Sequence, residues 1–241
     1  MSATDPVIEA ARLGAPDRYI AALYADADAR SKLLALAAFE ADLARIAQLL
    51  REPMLVDIRL QWWRDALASG IRGKASGQLI VDQLSPDVAS GQLPVGLLYG
   101  MIDAASGQPR TDVDDAQSLK SHLSKSEGAA FLLAARACGA QTSPDVEAAA
   151  HHAGLCYGLA RRLAAAVAQP ADNGQTARCR QTFAEAAAAV ARLDSALMPA
   201  FLPLAMVPVY LKQANSRPVL GGLPLQRWCR MFQAVLTGRI A

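Results

Sequence analysis

Runs of β-branched and aromatic residues bounded by turns, the pattern that announces strands, are nearly missing from this 241-residue sequence, and aromatics make up only 5% of it. Strand-built architectures are therefore not expected, whereas alanine blocks such as Ala164–Ala166 and Ala186–Ala189 favour helix. There is no extended basic run and little aromatic interleaving on which bases would stack. With 24 basic against 22 acidic side chains the formal net charge is only +2, so nucleic acid is not an expected partner. The four cysteines, Cys138, Cys156, Cys179 and Cys229, lie far apart without a C-x-x-C spacing, each in apolar helical sequence. They are expected to be reduced, buried thiols, with neither a metal centre nor a disulfide. Met1 to Ala15 carries acidic residues and no apolar core, so a secretory or transit leader is not expected and a cytoplasmic location is. The most apolar segment, Met198 to Leu211, contains three prolines and falls short of the roughly 20 residues a membrane-spanning helix requires. A buried hairpin is the expectation there, with peripheral membrane contact as the alternative. No internal repeat of convincing period is present.

What is present is a chain 53% hydrophobic with helical periodicity, expected to fold as one all-α domain over residues 17–241 behind an N-terminal tail, 1–16. Leu36, Phe39, Leu43, Ile46 and Leu50 recur at three- and four-residue steps and mark one buried face of a long helix. Glu52-Pro53 ends it, because proline lacks an N–H and disfavours helix in the residue before it. Helices are expected at about Met54–Ala68, Gln78–Leu84, Val95–Ala105, Gln117–Cys138, Asp145–Ala168, Ala177–Leu197 and Pro224–Thr237. The polar stretch Ser106–Asp115 and Pro170–Gly174 are breaks. Ser143-Pro144 opens the fifth of these helices with an N-cap and a first-turn proline. The last carries Leu225, Trp228, Phe232 and Val235 on one stripe, expected to close the core.

Five segments occur in an order with a known counterpart. They are Arg30-Ser31-Lys32-Leu33-Leu34-Ala35-Leu36-Ala37-Ala38-Phe39; Ile58-Arg59-Leu60-Gln61-Trp62-Trp63-Arg64-Asp65; Leu93-Pro94-Val95 with Met101-Ile102-Asp103-Ala104; Ser118-Leu119-Lys120-Ser121-His122 with Glu127-Gly128; and Gly154 through Ala160. The order resembles the squalene/phytoene synthase family over about Asp17 to Ala168, which implies an isoprenoid-synthase-like helical bundle. In active members two D-x-x-x-D-type motifs on facing helices hold magnesium against a prenyl diphosphate. Residues four apart share a helical face, so paired carboxylates can grip one hard cation whose charge stabilises the leaving group.

At the corresponding positions this chain has Ala44-Arg45-Ile46-Ala47-Gln48 and Ala160-Arg161-Arg162-Leu163-Ala164-Ala165-Ala166-Val167-Ala168, with no acid in either. The only carboxylates four apart anywhere are Asp5 and Glu9. The chain is similar in this respect to a subgroup with degraded motifs that includes a mitochondrial complex I assembly factor. That likeness implies a non-catalytic binding or assembly protein without catalytic residues or metal ligands, a residual lipid- or isoprenoid-binding cavity, and a protein partner in respiratory complex assembly. Arg45, Gln48, Trp62, Tyr157 and Arg161 are the candidate ligand-binding residues, since guanidinium groups suit oxyanions. The bland alternative pairs the arginines locally with Glu40, Asp42, Asp57 or Asp65 and buries one of the two tryptophans, because helical neighbours point about 100° apart. The rival reading is an active magnesium-dependent prenyltransferase drawing its metal ligands from unexpected positions, such as Asp42 with Asp103 or Glu127.

Overall fold

The computed structural model describes residues 5–50, 52–107, 116–166, 173–214 and 223–240. Among them every regular element is helical. The series is α1 (Pro6–Gly14), α2 (Pro16–Ala22), α3 (Ala27–Leu49), α4 (Pro53–Ile71), α5 (Leu79–Ala89), α6 (Val95–Ser106), α7 (Ala116–Leu123), α8 (Ala129–Ala137), α9 (Pro144–Ala165), α10 (Asn173–Val190), α11 (Met198–Phe201), α12 (Val207–Ala214) and α13 (Leu223–Thr237).

The two longest helices, α3 and α9, form the centre of the bundle. Asp26 caps α3 by accepting the Ala29 N–H at 2.9 Å, and Ser143 caps α9 by accepting the Val146 N–H, with Pro144 in its first turn. Phe39, Leu43 and Ile46 are buried as their spacing requires, but Ala35, Ala37 and Ala38 are fully buried too. Alanine at these positions lets α1, α2, α5 and α8 all approach α3, so it is enclosed on most sides rather than half-wetted. Trp63 lies edge-on to Phe39, centroids 5.1 Å apart, and is fully buried, whereas Trp62 is 37% exposed beneath the Arg59 guanidinium.

Five expectations need correction. The supposed tail holds a helix: Asp5 caps α1 by accepting the Val7 N–H, and Val7 and Ala11 are buried against α3. The single helix expected over Gln117–Cys138 is interrupted by a π turn at Ser124–Gly128. One residue is thereby inserted into the helical register, a feature that periodicity cannot reveal. The helix expected to reach Leu197 ends at Val190, and Ser195–Leu197 is a separate 3-10 turn. Most consequentially, the Leu225, Trp228, Phe232 and Val235 stripe of α13 faces outward, and the helix docks instead through Met231, Ala234 and Arg227. Cys156 and Cys179 are buried as expected, but Cys229, on α13, is exposed.

Leu202 to Val207, with Ala200 and Phe201, is buried, so the apolar proline-bearing stretch packs into the core. Ser195–Ala214 has the length and mean hydropathy of a membrane-crossing helix, yet two thirds of it is covered by the rest of the fold and it is broken into short turns. Of the breaks expected at Ser106–Asp115 and Pro170–Gly174, Ser106 ends α6 and Asn173 and Gly174 open α10, while 108–115 and 170–172 lie outside the described residues.

Candidate functional site

Between α3 and α9, roofed by α6, α7 and the π turn, lies a cavity of about 320 Å³. Ala44 and Gln48 reach it from α3, and Arg161, Arg162 and Ala165 from α9. These are the positions counted in the sequence as heirs of the two aspartate-rich motifs. Leu43, Met101, Ala104 and Leu123 supply its apolar wall, while His122, Ser126 and Glu127 add polar groups opposite.

Its floor is an ion cluster that the sequence did not disclose. Arg18, buried on α2, pairs through Nε with Glu40 and through Nη2 with Glu127 at 2.9 Å. Arg161 closes the ring, its Nη1 lying 2.9 Å from Glu127 and 3.4 Å from Glu40. The Arg18 guanidinium also stacks 4.6 Å from the Phe131 ring centroid, which fixes its plane. Burial pushes Glu40 above the ordinary carboxylate range; Arg18 pulls it back and the neighbouring Glu127 pushes it up again. For Arg18 burial works downward, but Glu40 and Glu127 outweigh it and hold the guanidinium charged. Arg162 also lines the cavity.

A second buried network stands behind the first. Asp17 accepts from Tyr157 Oη at 2.7 Å and from Tyr210 Oη at 2.5 Å, and pairs with Arg227 Nε at 2.5 Å. Burial, then the Asp17 carboxylate, pushes both phenols up, so both remain donors. This network ties α2, α9, α12 and α13 together.

Two glycines explain how α9 meets the π turn closely enough to form the cavity. A Cβ on Gly154 would lie 2.3 Å from the Gly128 backbone nitrogen, and one on Gly158 would lie 2.6 Å from Leu123 Cδ2. The backbones of two separate motif segments therefore touch, and the π turn swings Glu127 over the cluster.

Of the candidate residues, Gln48 and Arg161 line the cavity. Tyr157 lies just behind it, with its ring 5.4 Å from the Arg161 guanidinium and its hydroxyl turned to Asp17. Arg45 does not belong: it projects outward, 65% exposed, and pairs with Asp42 at 2.8 Å. One residue along from Ala44 is a 100° rotation, enough to carry it off the face. Trp62 is likewise on the surface, because Trp63 occupies the inward position. Of these arginines Arg45 pairs locally, whereas Arg161 finds Glu40 across 121 residues and Arg64 pairs with Asp103 at 2.5 Å. The carboxylates of the rival reading are thus divided, Asp42 with Arg45 and Asp103 with Arg64, while Glu127 stays in the cluster.

The family model for squalene/phytoene synthase matches residues 11–176, which span α3, the π turn and α9. The chain belongs to the squalene/phytoene synthase family. Its all-α isoprenoid-synthase fold follows from that membership and from the helical architecture together. No curated protein and no solved structure matches the chain. The match begins at residue 11, within α1.

Proposed function

We propose that this chain is a non-catalytic member of the squalene/phytoene synthase family, a binding and assembly factor whose α3–α9 cavity holds an isoprenoid- or lipid-like molecule with an oxyanion head, without magnesium. The observation that carries the reading is that both carboxylates in the cavity are engaged by guanidinium groups, Glu40 and Glu127 each meeting Arg18 and Arg161. Magnesium takes about six hard oxygen ligands in near-octahedral geometry, and the cation would sit beside two fixed positive charges. The residues present therefore fit a magnesium–diphosphate cluster poorly, and no ionisation step is derived for them. Among the described residues no group of three or more His, Cys, Asp or Glu side chains converges as a metal site would require.

The same side chains suit an anion. The Arg161 side chain is 40% exposed at the cavity, where a planar fork meets phosphate or carboxylate oxygens in pairs. The apolar wall of Leu43, Met101 and Leu123 gives the tail a dry surface, so head and tail of one amphiphile are both served.

The client of the assembly role, on the family resemblance, is respiratory complex I. A strain lacking this chain, assayed in parallel for complex I activity and for isoprenoid content, is expected to lose the former and keep the latter. Loss of squalene- or phytoene-type products with complex I intact would reverse the assignment in favour of a prenyltransferase.

A further inference from the structure

Helices α9 and α10 bring two thiols together in the core. Cys156 Sγ lies 3.9 Å from the Cys179 carbonyl oxygen, and Cys179 Sγ lies 3.5 Å from the Cys156 carbonyl oxygen. Each side chain thus points at the other residue's backbone, and both residues are fully buried. Neither belongs to the cavity or to the two charged networks. Tyr157, the next residue along α9, turns to Asp17 and Arg161, and the 100° step between neighbours carries Cys156 round to α10.

A thiol that stays buried is inert, so the way α10 is held decides whether the pair can react. Among the described residues α10 packs chiefly on α9. Its buried face consists of Thr176, Cys179, Ala186, Ala189 and Val190, small groups that remove little apolar area from water. Thr176 Oγ1 is buried there with no hydrogen-bond partner among the described residues, which weakens the docking further. A helix attached in this way opens at lower free energy than the rest of the bundle, and its opening uncovers both sulfurs at once. Cys179 then stands between Arg178 and Arg180, a setting that favours the thiolate. The two thiols are unequal before opening as well. The hydrogen bond from the Cys156 thiol lowers Cys179, with burial opposing and Arg180 assisting, whereas the same contact and burial push Cys156 up.

We propose that Cys156 and Cys179 form a reversible redox pair that hydrogen peroxide oxidises to an intramolecular disulfide, locking α10 onto α9. The Cys179 thiolate attacks one peroxide oxygen, the O–O bond breaks, hydroxide leaves and takes up a proton as water, and Cys179 is left as the sulfenic acid. The Cys156 sulfur then attacks the Cys179 sulfur, the S–O bond breaks, and a second water departs with the Cys156 proton as the S–S bond forms. Two electrons pass from the pair to the peroxide. A dithiol reverses the step by exchange and ends as its own disulfide. The reduced thiols expected from the sequence are the resting state of this pair. Its chemistry does not depend on whether the cavity binds a ligand or transforms one.

The test is hydrogen peroxide treatment of the folded full chain carrying Cys229→Ser, which removes the exposed thiol, followed by alkylation and peptide mapping. Loss of the Cys156 and Cys179 thiols, their recovery in one cross-linked peptide pair, and their return with dithiothreitol are expected. Backbone amide exchange in α10 is expected to slow at least about tenfold in the oxidised chain, since the cross-link restrains the opening. Cys156→Ser should leave Cys179 as a sulfenic acid that dimedone captures, whereas Cys179→Ser should leave Cys156 unoxidised. The cross-link map needs no substitution in the core, so it reads the pair even where a serine variant loosens the fold. Both thiols intact after oxidation, a cross-link from either of them to Cys138, dimedone capture at Cys156 instead of Cys179, or unchanged α10 exchange in the oxidised chain would each overturn the proposal.

Discussion

Alanine at position 154 is expected to cost about 3 kcal/mol of folding stability, the upper part of the range for overpacking. A Cβ there would lie 2.3 Å from Gly128 N, 2.4 Å from Gly128 Cα and 2.8 Å from the Glu127 carbonyl carbon, all backbone atoms. Neither α9 nor the π turn can yield without moving the other, and the shift would pull Glu127 away from Arg18 and Arg161. Two neighbours serve as internal controls. At Gly158 the nearest atoms belong to the Leu123 and Glu127 side chains, which can turn aside, so Gly158→Ala should cost only about 1 kcal/mol. At Gly128 the nearest contact is 3.7 Å, so Gly128→Ala meets no steric penalty. Denaturant unfolding of the three variants should therefore rank them Gly154 worst, Gly158 next and Gly128 least. Equal losses at Gly154 and Gly128 would contradict the close approach of these two backbones.

Removing the Arg18 guanidinium is expected to be at least as damaging. Arg18→Met keeps an unbranched apolar stem but leaves the Glu40 oxygen that faced Nε without its partner in a buried site, with Arg161 3.4 Å from the other oxygen. Deleting one member of a buried ion pair typically costs about 3–5 kcal/mol, because the remaining charge keeps its desolvation penalty. That origin makes a second measurement informative. In Arg18→Met/Glu40→Gln the stranded charge is gone, so the double variant should recover part of the loss despite carrying two substitutions. The Arg18→Met loss should also shrink as pH falls, since protonating Glu40 removes the same charge. Additive losses in the double variant would show that Arg18 acts through packing on Phe131 instead.

Much of the bundle was legible because its signals are local. The α3 face at Phe39, Leu43 and Ile46, the break at Glu52-Pro53 and the Ser143-Pro144 start of α9 follow from periodicity, proline geometry and capping. Ala44, Gln48 and Arg161 stand at the cavity because a helix fixes angular position along its length. Arg45 and Trp62 lie on the surface for the same reason: a one-residue step turns the side chain by 100°, and the inward slot is already taken.

The ion cluster was illegible because its members are distant in sequence. Arg18 meets Glu127 across 109 residues, and neither lies in a local pattern that marks it as buried. Asp17 follows Pro16 at the start of α2, where an acidic residue ordinarily needs no explanation beyond the helix dipole. The π turn leaves no periodic trace either, yet it is what aims Glu127. On α13 the apolar stripe was read correctly as a face and wrongly as core, because an amphipathic pattern gives a direction but not the medium it points into.

The central claim, an oxyanion-binding cavity that works without a metal, is tested most directly by calorimetric titration of the protein with a farnesyl diphosphate analogue, once with magnesium and once with chelator, while free pyrophosphate is monitored using farnesyl diphosphate itself. Binding of equal affinity in both buffers, weakened at least about tenfold by Arg161→Ala and accompanied by no pyrophosphate release, is the expected result. Affinity that appears only with magnesium, together with release of pyrophosphate, would contradict it and identify a working prenyltransferase.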